Sequence, residues 1–321
     1  MLGLLGLLAV GLVIAILAMT GYTLWALTRP PRRTYASALV RDRPGDPGEL
    51  PPGPRGPRPW TSWTLTWQNL DLPVWDITGD DPSGPVVVLS HGWGDSRIGA
   101  LTRVVHALPV ASRAILWDMP GHGDAPGTCT LGAREPGALK ALIERIGGDR
   151  PLVLFGWSMG AGVSMVAAAD PPAAPVAGVI AEAPHRFAHT AARHMLEAKA
   201  LPWRINLPAA MFLLGTELGI GAAWRGFDRL EFAKRLRAPM LVIHGADDEI
   251  SPIEDGRELA AAAPSGRLLE LEAVGHYGLW TEEPAVSRCA AALREFAGDC
   301  ARSALGGPES QRPLPANHVA K

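Results

Sequence analysis

Cysteine is scarce in this 321-residue chain, and its charges nearly cancel. The three cysteines, Cys129, Cys289 and Cys300, are odd in number and far apart. They make neither a disulfide framework nor a set with zinc-ligand spacing, and they read as free thiols in a reducing compartment. A formal net charge of −2 gives no reason to expect nucleic acid as a partner. Charge is missing altogether from Leu2 to Thr28, and nothing basic precedes that stretch. A cleaved secretory signal usually starts on Lys or Arg, has a shorter apolar core and ends at a small-x-small site. Here Ala36-Ser37-Ala38 comes only after Arg29, Arg32 and Arg33. Residues 1–28 are therefore expected to form an uncleaved, single-pass transmembrane anchor, with a cleaved signal as the main rival and a buried soluble helix as the remaining alternative. Arg29, Arg32, Arg33, Arg41 and Arg43 all follow the apolar run, and the positive-inside rule then places the catalytic body in the cytoplasm.

Prolines recur from Pro30 to Pro59, mixed with Gly, Arg and Asp. Proline lacks an N–H and fixes its backbone angle, so residues 29–60 are expected to be an extended linker that holds the body off the membrane. Residues 61–300 suffice for one core of roughly 240 residues. Residues 301–321 are rich in Pro, Ser, Gly and polar side chains and are expected to be a disordered tail.

Within the body, Trp60 to Gln68 and Leu72 to Ile77 alternate loosely, as two antiparallel strands at a sheet edge would. Apolar runs at Pro85 to Ser90, Arg113 to Trp117, Leu152 to Phe155, Val176 to Ala181 and Pro239 to His244 are of the kind buried on both faces of a sheet. Helical patterns fall between them, at about 97–108, 136–146 and 161–169. After them come a helix at about 252–263, a strand at Arg267 to Leu271 and a closing helix at about 283–296. Alternating strands and helices predict an α/β fold, a mostly parallel sheet with helices on both faces. Residues 182–236 interrupt the alternation with helical patterns and no convincing strand. An insertion there lies over the C-terminal ends of the strands, where ligands bind, and is a candidate lid.

Gly156-Trp157-Ser158-Met159-Gly160 fits the Gly-x-Ser-x-Gly turn, where a strand reverses into a helix so tightly that the flanking positions must lack side chains. Ser158 then stands at a strand end, beside a helix N-terminus whose first N–H, that of Met159, faces charge developing on a bound carbonyl. Among 36 glycines the pattern alone is weak. A serine hydroxyl is also a poor nucleophile unless a histidine takes its proton and a carboxylate orients that histidine. Two later loops leave strand ends on the same edge: Gly245 to Pro252, with Asp247, Asp248 and Glu249, and Val274 to Gly278, with His276.

Taken together, the His91-Gly92 turn, the loop from Asp118 to Gly123, the Ser158 turn, Gly245 to Pro252 and Gly275-His276 resemble the α/β-hydrolase superfamily over roughly residues 61–298. Within it the chain is similar to membrane-anchored serine hydrolases of the Bem46-like and serine-aminopeptidase-like groups, chiefly through Phe227 to Pro252. The resemblance implies Ser158 as nucleophile, His276 as general base and later acid, and Asp248 as the orienting carboxylate, with Asp247 and Glu249 as rivals. It also implies an oxyanion hole from the backbone N–H groups of Trp93 and Met159. No metal or organic cofactor is implied. Trp93 stands where the lipase His-Gly-Gly-Gly form has its third residue, so that branch is not a close match.

Other residues carry plainer expectations. His91 is expected to hydrogen-bond its surrounding loops, His122 to be a turn residue and His244 a satisfied core histidine. His185, His189 and His194 lie at near-helical spacing without matching Cys or acidic ligands, and are expected on a lid face rather than around a metal. The function expected is a membrane-anchored serine hydrolase acting on a carboxylic ester or lipid-like acyl substrate. The alternatives are a peptidase or amidase, which needs lid acids such as Glu182, Glu197 or Glu217 to capture a free amino terminus, and a non-catalytic binding scaffold, which commonly erases part of the triad.

Overall fold

The structure, a computed structural model, describes residues 2–148, 150–170, 175–198, 200–222, 224 and 226–306. In chain order the elements are α1 (Leu2–Thr28), α2 (Tyr35–Leu39), β1 (Trp60–Trp67), β2 (Leu70–Thr78), β3 (Val86–Ser90), α3 (Leu101–Ala107), β4 (Arg113–Trp117), α4 (Glu135–Ile146), β5 (Leu152–Trp157) and α5 (Met159–Ala169). They continue as β6 (Val176–Glu182), α6 (Ala188–Ala198), α7 (Asn206–Glu217), α8 (Arg229–Ala233), β7 (Met240–Gly245), α9 (Ile253–Ala262), β8 (Gly266–Leu271) and α10 (Ala285–Leu305). The eight strands form one sheet in the order β1-β2-β4-β3-β5-β6-β7-β8. β1 and β2 pair antiparallel, β2 meets β4 antiparallel, and every other pairing is parallel.

The chemistry of the strands explains the layering. β3, β5 and β7 are buried along their whole length, so successive side chains feed two different cores. Val86, Val88, Leu152 and Leu154 face one, with α4, α5 and the lid helices. Val87, Leu89, Val153 and Phe155 face the other, with α3 and α10. Burying an aliphatic side chain of this size contributes about 1.5–3 kcal/mol, and the two-sided pattern is what holds a parallel sheet between helical layers. The expected lid, residues 182–236, holds three helices: α6 and α7 pack together, α7 also meets α1, and α8 lies against α5 and α9.

Three expectations are corrected. The expected linker, residues 29–60, does not stand off as a spacer: Arg32 donates to the carbonyls of Gly123 and Ala125, Arg33 pairs with Asp95 at 3.0 Å, Arg58 pairs with Asp80 at 2.7 Å, Ala38 and Leu50 are buried, and Trp60 already belongs to β1. Proline sets the local backbone, but arginines spaced between the prolines supply the ties. The third helix starts only at Leu101, because Asp95 to Ala100 is spent on a loop in which Asp95 and Asp118 accept main-chain N–H groups. Residues 301–305 are helical, since α10 runs on to Leu305 with Cys300 and Ala301 buried and Gly306 as its C-cap; the rest of the expected tail, 307–321, lies outside the described residues.

α1 is 27 residues long, about 40 Å at 1.5 Å per residue, enough to cross a bilayer by length and composition. Its first part exposes Leu4, Leu8, Leu12 and Leu17, whereas Thr20, Thr23, Leu27 and Thr28 are buried. These last lie at helical spacing and meet the lid, where the Asn206 amide donates to Thr23 Oγ1 at 2.6 Å.

Candidate active site

Ser158 is the N-cap of α5 and has φ 53° and ψ −112°, a region sparsely populated by residues with a side chain and found where surrounding structure enforces it. The enforcement is visible. A Cβ on Gly156 would lie 2.1 Å from the Gly160 carbonyl oxygen, and one on Gly160 2.1 Å from that of Ser90. The Ser158 N–H is held by the Glu182 carbonyl at 2.8 Å, so neighbouring strand ends fix the turn. Met159, the first residue of α5, has an N–H with no intrahelical acceptor by its position.

His276 leaves the loop after β8, and its Nδ1 donates to Asp248 Oδ2 at 2.7 Å. Asp248 also accepts the N–H groups of Ile250 (2.9 Å) and Ser251 (2.7 Å) through Oδ1. Burial opposes its charged form, but hydrogen bonds from His244, His276 and the Ser251 N–H outweigh it and hold the carboxyl well below its usual range. Of the two rivals, Glu249 receives the His276 N–H at 3.3 Å and so touches the backbone of the histidine loop rather than its ring. Ser158, His276, Trp93 and Met159 line one pocket. The His276–Asp248 pair and Ser158 thus reach the same pocket from three different strand ends.

His91 ties the neighbouring loops together. Its Nδ1 faces the Gly92 carbonyl at 2.8 Å and its Nε2 accepts the Met119 N–H at 3.0 Å. Burial pushes its pKa down to about 4, which keeps Nε2 free to accept and pins the loop carrying Trp93. His122, also buried, lies against His91 with ring centroids 4.9 Å apart and ring planes tilted by 59°.

Several residues of the site escape sequence reasoning. Leu27, at the end of α1, lines the pocket; inside an apolar run nothing distinguishes it. His185 lines it too, while His189 lies against the Phe187 ring at 5.3 Å and His194 Nδ1 meets the Ile250 carbonyl at 2.9 Å, so the three lid histidines face three places. His244 is more than a core histidine: its Nε2 lies 3.3 Å from Asp248 Oδ2 and 2.9 Å from the Ser251 carbonyl. Its place at the C-terminal end of β7, four residues before Asp248, was the available signal. Glu182 is fully buried and bound by Arg103 at 2.8 and 2.6 Å and by the Trp280 indole at 2.7 Å. A charge ending a buried strand signals such a partner. None of Glu182, Glu197 and Glu217 lines the pocket among its described residues.

Similarity to known proteins follows the same architecture. The first relative, a pimeloyl-[acyl-carrier protein] methyl ester esterase of Chromobacterium violaceum, is 28% identical over 227 residues, covering 60% of this chain and 87% of that protein. Among solved structures, an esterase of Pyrococcus furiosus superposes with a TM-score of 0.62 at 19% identity, covering 84% of this chain and all of that one. A bacterial membrane phospholipase A superposes with a TM-score of 0.58 at 16% identity, covering 92% of this chain and 97% of that one. Such low identities carry the fold alone. The family model described as "Alpha/beta hydrolase family" matches residues 86–291, and with the sheet order and strand-end site above, the chain belongs to the alpha/beta hydrolase family.

Proposed function

We propose that this chain is a membrane-anchored serine hydrolase that cleaves carboxylic esters of lipid-like acyl groups. Ser158 Oγ attacks the ester carbonyl as His276 Nε2 takes its proton. The backbone N–H groups of Trp93 and Met159 receive the oxyanion, and His276 then protonates the departing alcohol. Water enters by the same route in reverse roles and frees the acid. Asp248 holds the imidazole with Nδ1 protonated, so that Nε2 is the basic atom. No step calls for a metal or organic cofactor.

The observation that carries the proposal is the 2.7 Å contact between His276 Nδ1 and Asp248 in the pocket that also holds Ser158. The substrate class is supported by the rest of the lining, which includes Leu27, Ala188, Ala192, Met195 and Ile250. The esterase relative adds support for ester chemistry. An amide-cleaving role like that of the serine-aminopeptidase group is disfavoured by Glu182, whose carboxylate is consumed by Arg103 and Trp280. An anchor that stays attached is favoured by the burial of Leu27 and by the bond from the Cys129 N–H to the Thr28 carbonyl at 2.9 Å. Signal cleavage would unmake both contacts. The arginines that follow α1 favour a cytoplasmic body.

The test is labelling of the membrane fraction with a fluorophosphonate probe, followed by turnover of esters of increasing chain length against peptide amides. Labelling of the wild type, its loss in Ser158→Ala and His276→Ala, and preference for esters are expected. A folded wild type that neither labels nor hydrolyses any ester overturns the proposal in favour of a binding scaffold.

A further inference from the structure

Beside the acyl pocket lies a second cavity, with about 640 Å³ of open space, lined by Arg33, Arg41, Arg43 and Arg103 and by one carboxylate, Asp95. The two cavities share Trp157 and Tyr277 as walls. Trp157 is a partition in the literal sense: the His276 ring lies on it at 5.9 Å between centroids, and the Arg103 guanidinium sits over the indole at 4.0 Å.

The charges do not balance within this cavity. Asp95 is taken by Arg33 at 3.0 Å, and Glu182, behind the lining, is taken by Arg103. Among the described residues no carboxylate lies within ion-pair distance of Arg41 or Arg43. Arg41 donates to the Ser37 carbonyl at 2.9 Å. Arg43 is half-buried, and its guanidinium is held below its usual range by burial and then by Arg33, Arg103 and Arg41. Burial also pushes the Asp95 carboxyl above its usual range, against the pull of Arg33, which weakens the one compensating charge. Like charges gathered at a cavity in this way are stabilised by an anion, and guanidinium groups match the oxygens of a phosphate in paired hydrogen bonds. No lysine takes part.

Position selects the source of that anion. Arg33 follows the end of α1 by five residues, so a bilayer crossed by α1 places the cavity at the depth of lipid head groups. We propose that the arginine cavity binds the phosphate head of an anionic glycerolipid whose acyl chain enters the neighbouring pocket across the Trp157 wall. The enzyme then selects its ester by head-group charge as well as by chain. The proposal rests on reading the neighbouring pocket as the acyl site.

Binding and turnover are separated by working with full-length Ser158→Ala protein in a neutral detergent at low salt. Three probes are titrated: dihexanoyl phosphatidic acid, dihexanoylglycerol and inorganic phosphate. The phosphatidic acid is expected to bind about tenfold more tightly than the neutral diacylglycerol. The preference should vanish in Arg41→Gln/Arg43→Gln and survive in Arg43→Lys, with an unchanged unfolding temperature as the folding control. Equal binding of charged and neutral lipids overturns the proposal. So does inorganic phosphate that binds as tightly as the phosphatidic acid, which would make the cavity a free-anion site. Fluorophosphonate labelling of wild type alongside equal lipid binding removes this inference alone; arginine-dependent lipid binding in a protein that never labels removes the hydrolase reading alone.

Discussion

The indole N–H of Trp93 donates to the main-chain carbonyl of Leu27 at 2.9 Å. The last carbonyls of a helix have no intrahelical donor, so the apolar helix is capped by the same residue that is proposed to supply an oxyanion-hole N–H. Leu27 itself walls the pocket. Leu27→Ala should therefore move the preferred ester toward longer chains and Leu27→Trp toward shorter ones. Each methylene gained or lost changes kcat/KM by about fourfold, the equivalent of ~0.8 kcal/mol. A series of p-nitrophenyl esters reads this directly, and an unmoved optimum in both variants would remove Leu27 from the acyl site.

His244 faces Asp248 from the strand side, 3.3 Å away, and in the proposed mechanism it positions the carboxylate without touching substrate. His244→Phe takes away one of the contacts that fix the carboxylate against His276. A misplacement of the order of 1 Å costs up to about 10²-fold in rate. The expected signature is a fall in kcat with KM nearly unchanged. A purely structural role would instead lower the unfolding temperature and leave kcat of the folded fraction intact.

Gly160→Ala places a Cβ 2.1 Å from the Ser90 carbonyl and 2.5 Å from that of His91. Both are backbone oxygens of a central strand and the loop after it, so neither yields. A loss of about 3 kcal/mol or more is expected, together with loss of fluorophosphonate labelling. Thermal unfolding in detergent measures the first and in-gel fluorescence the second.

Asp248 carries a pH prediction. Its folded pKa is depressed below the ordinary value of 3.8, so the unfolded chain binds the proton more readily. The stability it contributes is present above about pH 4 and is lost as pH falls below that. The groups facing the carboxylate are the rings of His244 and His276 and the N–H groups of Ile250 and Ser251. Asp248→Asn should flatten the dependence of unfolding temperature on pH between about 5 and 3. Equal slopes in variant and wild type would show that the carboxylate is not specially stabilised.

Much of this molecule was legible in its sequence. Apolar runs bounded by glycine gave the strands to within a residue or two, since strands buried on both faces leave a dense signal. Gly156, Ser158 and Gly160 announced the turn because only glycine fits there, and the loops carrying Asp248 and His276 followed from strand ends on one edge. Illegible parts depended on tertiary contact. Proline content said that residues 29–60 would be extended, and nothing local said that Arg32 and Arg33 would bind the segment to the body. Leu27 looks like every other residue of its helix until a neighbour is seen, and Glu182 needs Arg103, 79 positions earlier, before its burial makes sense.

The contacts of α1 also bear on whether this helix is an exchangeable part. Its outer turns are plain hydrocarbon, but Thr23, Leu27 and the Leu27 carbonyl each have a fixed partner in Asn206, the pocket and Trp93. A chimera carrying another apolar segment of equal length and hydropathy would keep the proposed anchor but alter the pocket. Fewer substitutions should accordingly be tolerated from Thr20 onward than before it, giving the helix a graded sequence requirement that its uniform hydropathy conceals.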